Sequence, residues 1–268
     1  MARALDLSGH GTGDPLLLAR IMDLTASLYT DQRRFGEAQR LLDWTHAIYQ
    51  RAGDRHAAGR ALVSKGISAR TAFQPEEGRR LLILGLRQID AGRDPKLVFL
   101  ALQGLIGCLV DCGEITSAKA LFEASRNLHA LFGERLDVIR ARWLEGQIAA
   151  GLGENERAEQ LLHQAREGFE GAGLPYHAAV VSLDLSAVWL RQGRTAEIRD
   201  LVDGMIVVFK SRNIQREAFG ALLMLKAALQ RNQATAALIQ AVAAELRQLE
   251  GSSGSDTKSQ APSLPPLR

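Results

Sequence analysis

Shifting the sequence against itself by 40 positions lays GEITSAKALF (113–122) on GENERAEQLL (153–162). The same shift brings Ala38, Gly78, Ala118 and Ala158 into register, followed by Ile198, with Ala237 one residue early. Four positions on stand Leu42, Leu82, Phe122, Leu162 and Val202, all large and apolar. Three further on stand Thr45, Gly85, Ser125 and Ala165, all small, and then Met205. A small residue lets two helix axes approach, and a large one a turn later fills the groove between them. Units of this length cannot bury their apolar faces alone, so they stack into a continuous core.

The punctuation repeats with the same period. Breaks fall at AGD (52–54), GRD (92–94), FGE (132–134), GAG (171–173) and SRN (211–213). A second set lies between them, at DQRRFG (31–36), FQPEEG (73–78), DCGE (111–114), GLGE (151–154) and RQGR (191–194). Asp14-Pro15 and Asp94-Pro95 read as an N-cap followed by proline at the first helical position, and Pro175 continues that 80-residue double period. Each unit is therefore two helices and a short turn. The pattern predicts pairs over 15–30 and 34–51, 55–72 and 75–90, 95–112 and 114–131, 134–150 and 154–171, 175–191 and 194–210, and 214–230 and 233–250. No segment alternates with period two long enough to argue a strand. The wealth of Ala, Leu, Arg, Gln and Glu, with 5% aromatic residues, agrees with an all-α chain.

Several kinds of chemistry find no support. Basic residues number 33 against 30 acidic, too small an excess for a nucleic-acid partner. No apolar run approaches the roughly 18 residues of a membrane span, and MARALDLSGHGTG lacks the apolar core of a signal peptide, so a cytoplasmic location is expected. Cys108 and Cys112 lie four apart in an apolar helix, as small core residues and not a disulfide or a metal site. The six histidines fall in different phases of the repeat, and GHGTGD (9–14) follows no strand. No catalytic, cofactor or metal residues are assigned.

Gly113, Gly153 and Gly193, Ala118 and Ala158 five residues after the first two, and the large-then-small pair that follows resemble the second half of the tetratricopeptide repeat. The first helix matches less closely. The family's small residue appears as Ala26, Gly66, Gly146 and Ser186 but is Ile106 in the third unit. Its aromatic is Tyr29 and Trp189, against Ala69, Leu109 and Ala149 elsewhere. The resemblance covers residues 14–250 and implies a right-handed α-solenoid of antiparallel helix pairs, with a unit of 40 residues in place of the usual 34, as in long-repeat bacterial relatives. It also implies binding on a concave wall lined by the first helices. By register the binding positions fall on Arg20, Asp23, Ser27, Arg60, Val63, Arg70, Gln103, Arg140, Trp143 and Gln147. Arg20, Arg60 and Arg140 share one phase, a ladder of forked donors for carboxylates or peptide groups, and Trp143 is an anchor candidate.

The two ends depart from the repeat. Residues 1–13 read as the remnant of a preceding unit, which would leave apolar surface on the first pair and invite end-to-end self-association. Residues 251–268, GSSGSDTKSQAPSLPPLR, lose all periodicity and read as a disordered tail. Two functions follow from this organisation. One is a non-enzymatic scaffold that holds a peptide or helix of a partner protein in the groove. The other is a regulatory module that binds a peptide or small ligand and passes the change to a transcriptional or signalling partner.

Overall fold

In a computed structural model, residues 14–32, 34–132, 135–211, 216–230 and 232–249 are described, and they form helices and turns with no strand among them. The first helices of the pairs are α1 (Pro15–Asp31), α3 (Arg55–Thr71), α5 (Pro95–Asp111), α8 (Arg135–Gly151), α10 (Pro175–Arg191) and α12 (Arg216–Gln230). The second helices are α2 (Phe35–Arg51), α4 (Pro75–Leu86), α6 (Ile115–Ala124) with its continuation α7 (Arg126–Phe132), α9 (Asn155–Gly171), α11 (Thr195–Ser211) and α13 (Ala236–Leu249). The chain is an α-solenoid of tandem helix pairs. Residues 1–13 and 251–268, and the expectations attached to them, lie outside the described residues.

Local chemistry sets the helix ends. The Asp14 carboxylate accepts from Leu16 N at 2.8 Å, and Asp54 and Asp94 accept from the N–H groups of Ala57 and Leu97 at 2.9 Å. Each cap satisfies one of the orphan donors of a first turn. First helices from α3 on end in a left-handed residue at one phase of the repeat: Gly113, Gly153 and Gly193 have φ of +76°, +78° and +74°, and Phe73 and Asn232 take the same position at +60° and +55°. Glycine adopts that conformation without the Cβ clash that Phe73 must bear.

Two second helices are shorter than the repeat predicts. α4 stops at Leu86 and not near 90, because Asp90 Oδ1 accepts from Gly92 N and Arg93 N and closes a turn in place of further helix. The helix expected over 114–131 is broken at Ser125, a buried residue whose hydroxyl donates to Phe122 O at 3.1 Å and competes with the backbone ladder.

The repeated small residues lie where the pairs touch. Ala38, Ala118, Ala158 and Ile198 are fully buried, and so are Leu82, Leu162 and Val202 one turn later. The tightest crossing is α3 on α4, where Gly59 and Gly66 meet Gly85 and Gly78. A Cβ on Gly66 would stand 2.7 Å from Leu82 Cγ and 3.0 Å from Gly78 O, and one on Gly85 would stand 3.0 Å from Gly59 O.

Successive first helices touch each other from α1 through α3, α5 and α8 to α10, whereas consecutive second helices make no contact among the described residues. The stack is thus shorter along the line of first helices and curves toward it, which makes that line the concave wall. The far end differs from the rest. α13 lies against α10, and α10, α11, α12 and α13 touch in a closed ring. Leu222, Leu225 and Leu229 of α12 and Ile239, Val242 and Leu246 of α13 join one core with Val181, Leu185 and Val188 of α10. The last pair therefore folds back against α10 and forms a four-helix arrangement with α10 and α11. At the other end α1 exposes Leu17, Leu24 and Leu28, while Leu18 and Ile21 are half-buried.

Three substitutions separate these contacts by urea midpoint. Ala158→Leu overpacks a buried crossing and should cost about 1–3 kcal/mol. Gly66→Ala should also destabilise, since its new carbon meets backbone. Gly204→Ala in α11, where a Cβ would meet nothing within 4 Å, should stabilise by about 0.5–1 kcal/mol through helix propensity. A common direction for all three would show that the small residues are not at close contacts.

Candidate functional site

Polar side chains link the first helices along the concave wall. Between α1 and α3, Arg60 Nε lies 3.5 Å from Asp23 Oδ2, and Thr30 Oγ1 donates to Ser68 Oγ at 3.0 Å. Arg60 also donates to the Tyr49 hydroxyl at 3.2 Å, from α3 to α2. Between α3 and α5, Arg70 Nε donates to Asp111 Oδ2 at 2.7 Å. The Arg70 guanidinium lies over Gly107, where a Cβ would come within 2.1 Å of Cζ, so the glycine makes room for the arginine. Between α5 and α8 the buried Gln103 amide donates to the carbonyl of Asp137 at 3.4 Å. Between α8 and α10, Asp184 Oδ2 accepts from Trp143 Nε1 at 2.7 Å and from Gln147 Nε2 at 2.9 Å, and Arg191 donates to Ala150 O at 3.2 Å.

The residues that register places on this wall thus differ in what they do. Asp23, Arg60, Arg70, Gln103, Trp143 and Gln147 are engaged with a neighbouring helix. Trp143 also packs edge-on against Phe169, with ring centroids 5.8 Å apart. Val63 is buried in the core. Arg140 is exposed and 3.5 Å from Asp137 of its own helix. Ser27 is exposed and bonds back to Asp23 O, and Arg20 is exposed on α1. The three arginines of the ladder therefore stand on α1, α3 and α8 in two states, with Arg60 held against Asp23 and Tyr49 and the other two presented outward. The acidic partners Asp111, Asp137 and Asp184 were not singled out by register. For Asp111 and Asp184 the signal in the sequence is a spacing of 41 residues from the residue they meet, Arg70 and Trp143, whereas Asp137 pairs with Arg140 three residues along its own helix.

Burial sets the electrostatics at two places. It pushes the Asp23 carboxyl above its ordinary range, against the pull of Arg60 and a hydrogen bond with Ser64. It pushes the Cys108 thiol up to about 12, against the pull of Arg70, and raises the half-buried Cys112 as well. Both cysteines are free. No group of histidine, cysteine or carboxylate side chains suited to a metal occurs among the described residues, and none of the described helices is long and apolar enough to cross a membrane.

No protein-family model and no curated protein matches the chain. Among solved structures it is similar to the crystal structure of Rap protein complexed with Competence and Sporulation Factor. The TM-score is 0.70 at 14% sequence identity, over 92% of this chain and 69% of that one. The likeness is one of fold. It joins a helical-repeat architecture of this kind to a chain solved with a bound factor.

The thiols offer a direct check of this packing. At pH 8 an alkylating reagent should modify Cys112 and leave Cys108 intact until the chain unfolds, because a raised pKa starves both of thiolate and burial shuts the second one off. Mass mapping that found equal early labelling of the two would show that α5 does not sit against α3 and α4 as described.

Proposed function

We propose that this protein is a non-enzymatic, tetratricopeptide-like scaffold whose concave wall holds an extended peptide or a helix of a partner protein. The observation that carries this reading is a set of open valences on the wall. Asp23 Oδ1, Arg60 Nε and Gln147 Oε1 are shielded from solvent and have no hydrogen-bond partner. A buried polar atom without a partner costs about 1–3 kcal/mol, so a ligand that completes it gains in proportion. A peptide group supplies both a donor for the two oxygens and an acceptor for the guanidinium. The exposed Arg20 and Arg140 flank these positions and favour a partner that carries carboxylates. The Rap protein, solved with Competence and Sporulation Factor on a similar fold, supports a ligand-holding role for the architecture.

We infer in addition that the α1 face mediates self-association, since Leu17, Leu24 and Leu28 form an exposed stripe at helical spacing.

The scaffold reading is tested by panning a peptide library on the immobilised protein and measuring the selected peptides by calorimetry. Arg20→Glu with Arg140→Glu should weaken binding at least tenfold and leave the melting temperature unchanged, while Arg126→Glu on α7 should change nothing. Binding indifferent to the double variant would place the ligand elsewhere. Sedimentation velocity tests the second inference: a concentration-dependent dimer should disappear in Leu24→Glu, and a dimer that survives would remove α1 from the interface.

A further inference from the structure

One junction of the solenoid is built differently from its neighbours. The second helices α2, α9 and α11 run unbroken for 17 residues, whereas that of the third pair breaks after Ala124. Ser125 has φ −93° and ψ 2°, and its carbonyl accepts from Leu128 N at 2.9 Å, a step of three residues in place of four. A tight turn of this kind inside a helix is a common place for a chain to bend. Its cause is local. Position 125 shares its phase with Ala165, around which α9 is continuous, and the hydroxyl that Ser125 adds is bound to Phe122 O.

Packing between the third and fourth pairs is concentrated on one side of that break. Ile106 and Leu109 of α5, Ala118 and Phe122 of α6 and Leu144 and Ile148 of α8 form one apolar cluster, toward the turns that close the two pairs. Beyond Ser125 the seam thins. Of the described side chains of α7, Arg126, Asn127 and Leu131 are exposed and Leu128 and Phe132 are half-buried. The corresponding half of α9 buries Ala165 and Phe169, and that of α2 buries Thr45, Ile48 and Tyr49. α7 is held to its own pair, with the Phe132 ring 6.2 Å from that of Phe99, while Ile139 at the start of α8 belongs to the core of the later helices.

The polar links across this junction are long as well. Gln103 donates to Asp137 O at 3.4 Å, and Lys119 Nζ lies 3.8 Å from Glu154 Oε1. At the two neighbouring junctions Arg70 meets Asp111, Trp143 meets Asp184 and Arg194 meets Glu159, each at 2.7 Å. The early end of α4 has no such effect on its own junction. Leu86 and Ile89 there pack on the core of Leu97, Leu105 and Cys108, and Asp90 N donates to His56 Nδ1 at 3.1 Å, which ties the turn to α3.

We propose that the junction between the third and fourth pairs is a hinge. Helices α1 to α7 turn as one body and α8 to α13 as another, about a fulcrum at the Phe122–Ile148 cluster, with the far end of α7 swinging against α8. A hinge needs a few residues that absorb the change while each body keeps its core, and few buried contacts are lost when the thin side of this seam moves. The concave wall is divided accordingly: Arg20 and Arg60 ride on one body, and Arg140, Trp143 and Gln147 on the other. The hinge therefore sets the curvature of the wall. It belongs to the free protein and stands whether or not the scaffold reading holds.

Double electron–electron resonance on the free, full-length protein tests this. Arg40, Arg80, Ala120, Gln160 and Asp200 share one phase and are exposed on successive second helices, so nitroxides can be attached there through an inserted keto amino acid, with Cys108 and Cys112 unchanged. Pairs two units apart each span two junctions. The distance distributions for 80 with 160 and for 120 with 200, which include the hinge, should be at least twice as broad as that for 40 with 120, which does not. Ser125→Ala should bring both down to the width of the control, because it gives the third pair the residue around which α9 is continuous. Equal widths for the three pairs in the natural sequence overturn the hinge, and breadth that persists in Ser125→Ala overturns the role of Ser125 in it.

Discussion

The close approach of two helices at a small residue is the contact on which the rest of this structure depends. Ala38, Gly78, Ala118 and Ala158 recur every 40 residues and are buried, with a large apolar residue one turn beyond each. A Cβ at Gly66 or Gly85 would press on the facing backbone, so α3 and α4 are as near as main chains allow. Close axes bring many atoms into dispersion contact at once, and they leave no room to slide the register by a residue. Repeating that contact fixes the angle within each pair, and stacking the pairs then fixes the line of first helices.

That line has a polar side with its own logic. Buried polar groups need partners, and Ser68 and Gln103 find theirs on a neighbouring first helix, at Thr30 and Asp137. Asp184 receives both Trp143 and Gln147, and Arg70 reaches Asp111 across a glycine that leaves space for it. These links tie each first helix to the next along the wall. Where the links are incomplete, at Asp23, Arg60 and Gln147, the wall keeps capacity for an added hydrogen bond.

The last helix pair changes the pattern. α13 returns to α10, and α10, α11, α12 and α13 share one core, so the regular line of first helices gives way to a four-helix arrangement.

The sequence by itself determined the fold class, the period, the places where helices begin and the residues at the crossings, because each rests on local chemistry or on a pattern that recurs. Asp-Pro starts, left-handed glycines and small residues at one phase all act through neighbours a few positions away or through the same contact made again. By register with the repeat it resembles, it also offered Arg20, Asp23, Ser27, Arg60, Arg70, Gln103, Arg140, Trp143 and Gln147 as positions on the first helices. Only the tertiary structure decided which of these are tied down and which face outward, since Arg60 and Arg140 share a phase and differ solely in what the adjacent helices bring to them. The premature end of α4, the break at Ser125 and the return of α13 onto α10 were likewise beyond the repeat. Each arises where one unit departs from its relatives, and a periodic signal carries no information about its own exceptions.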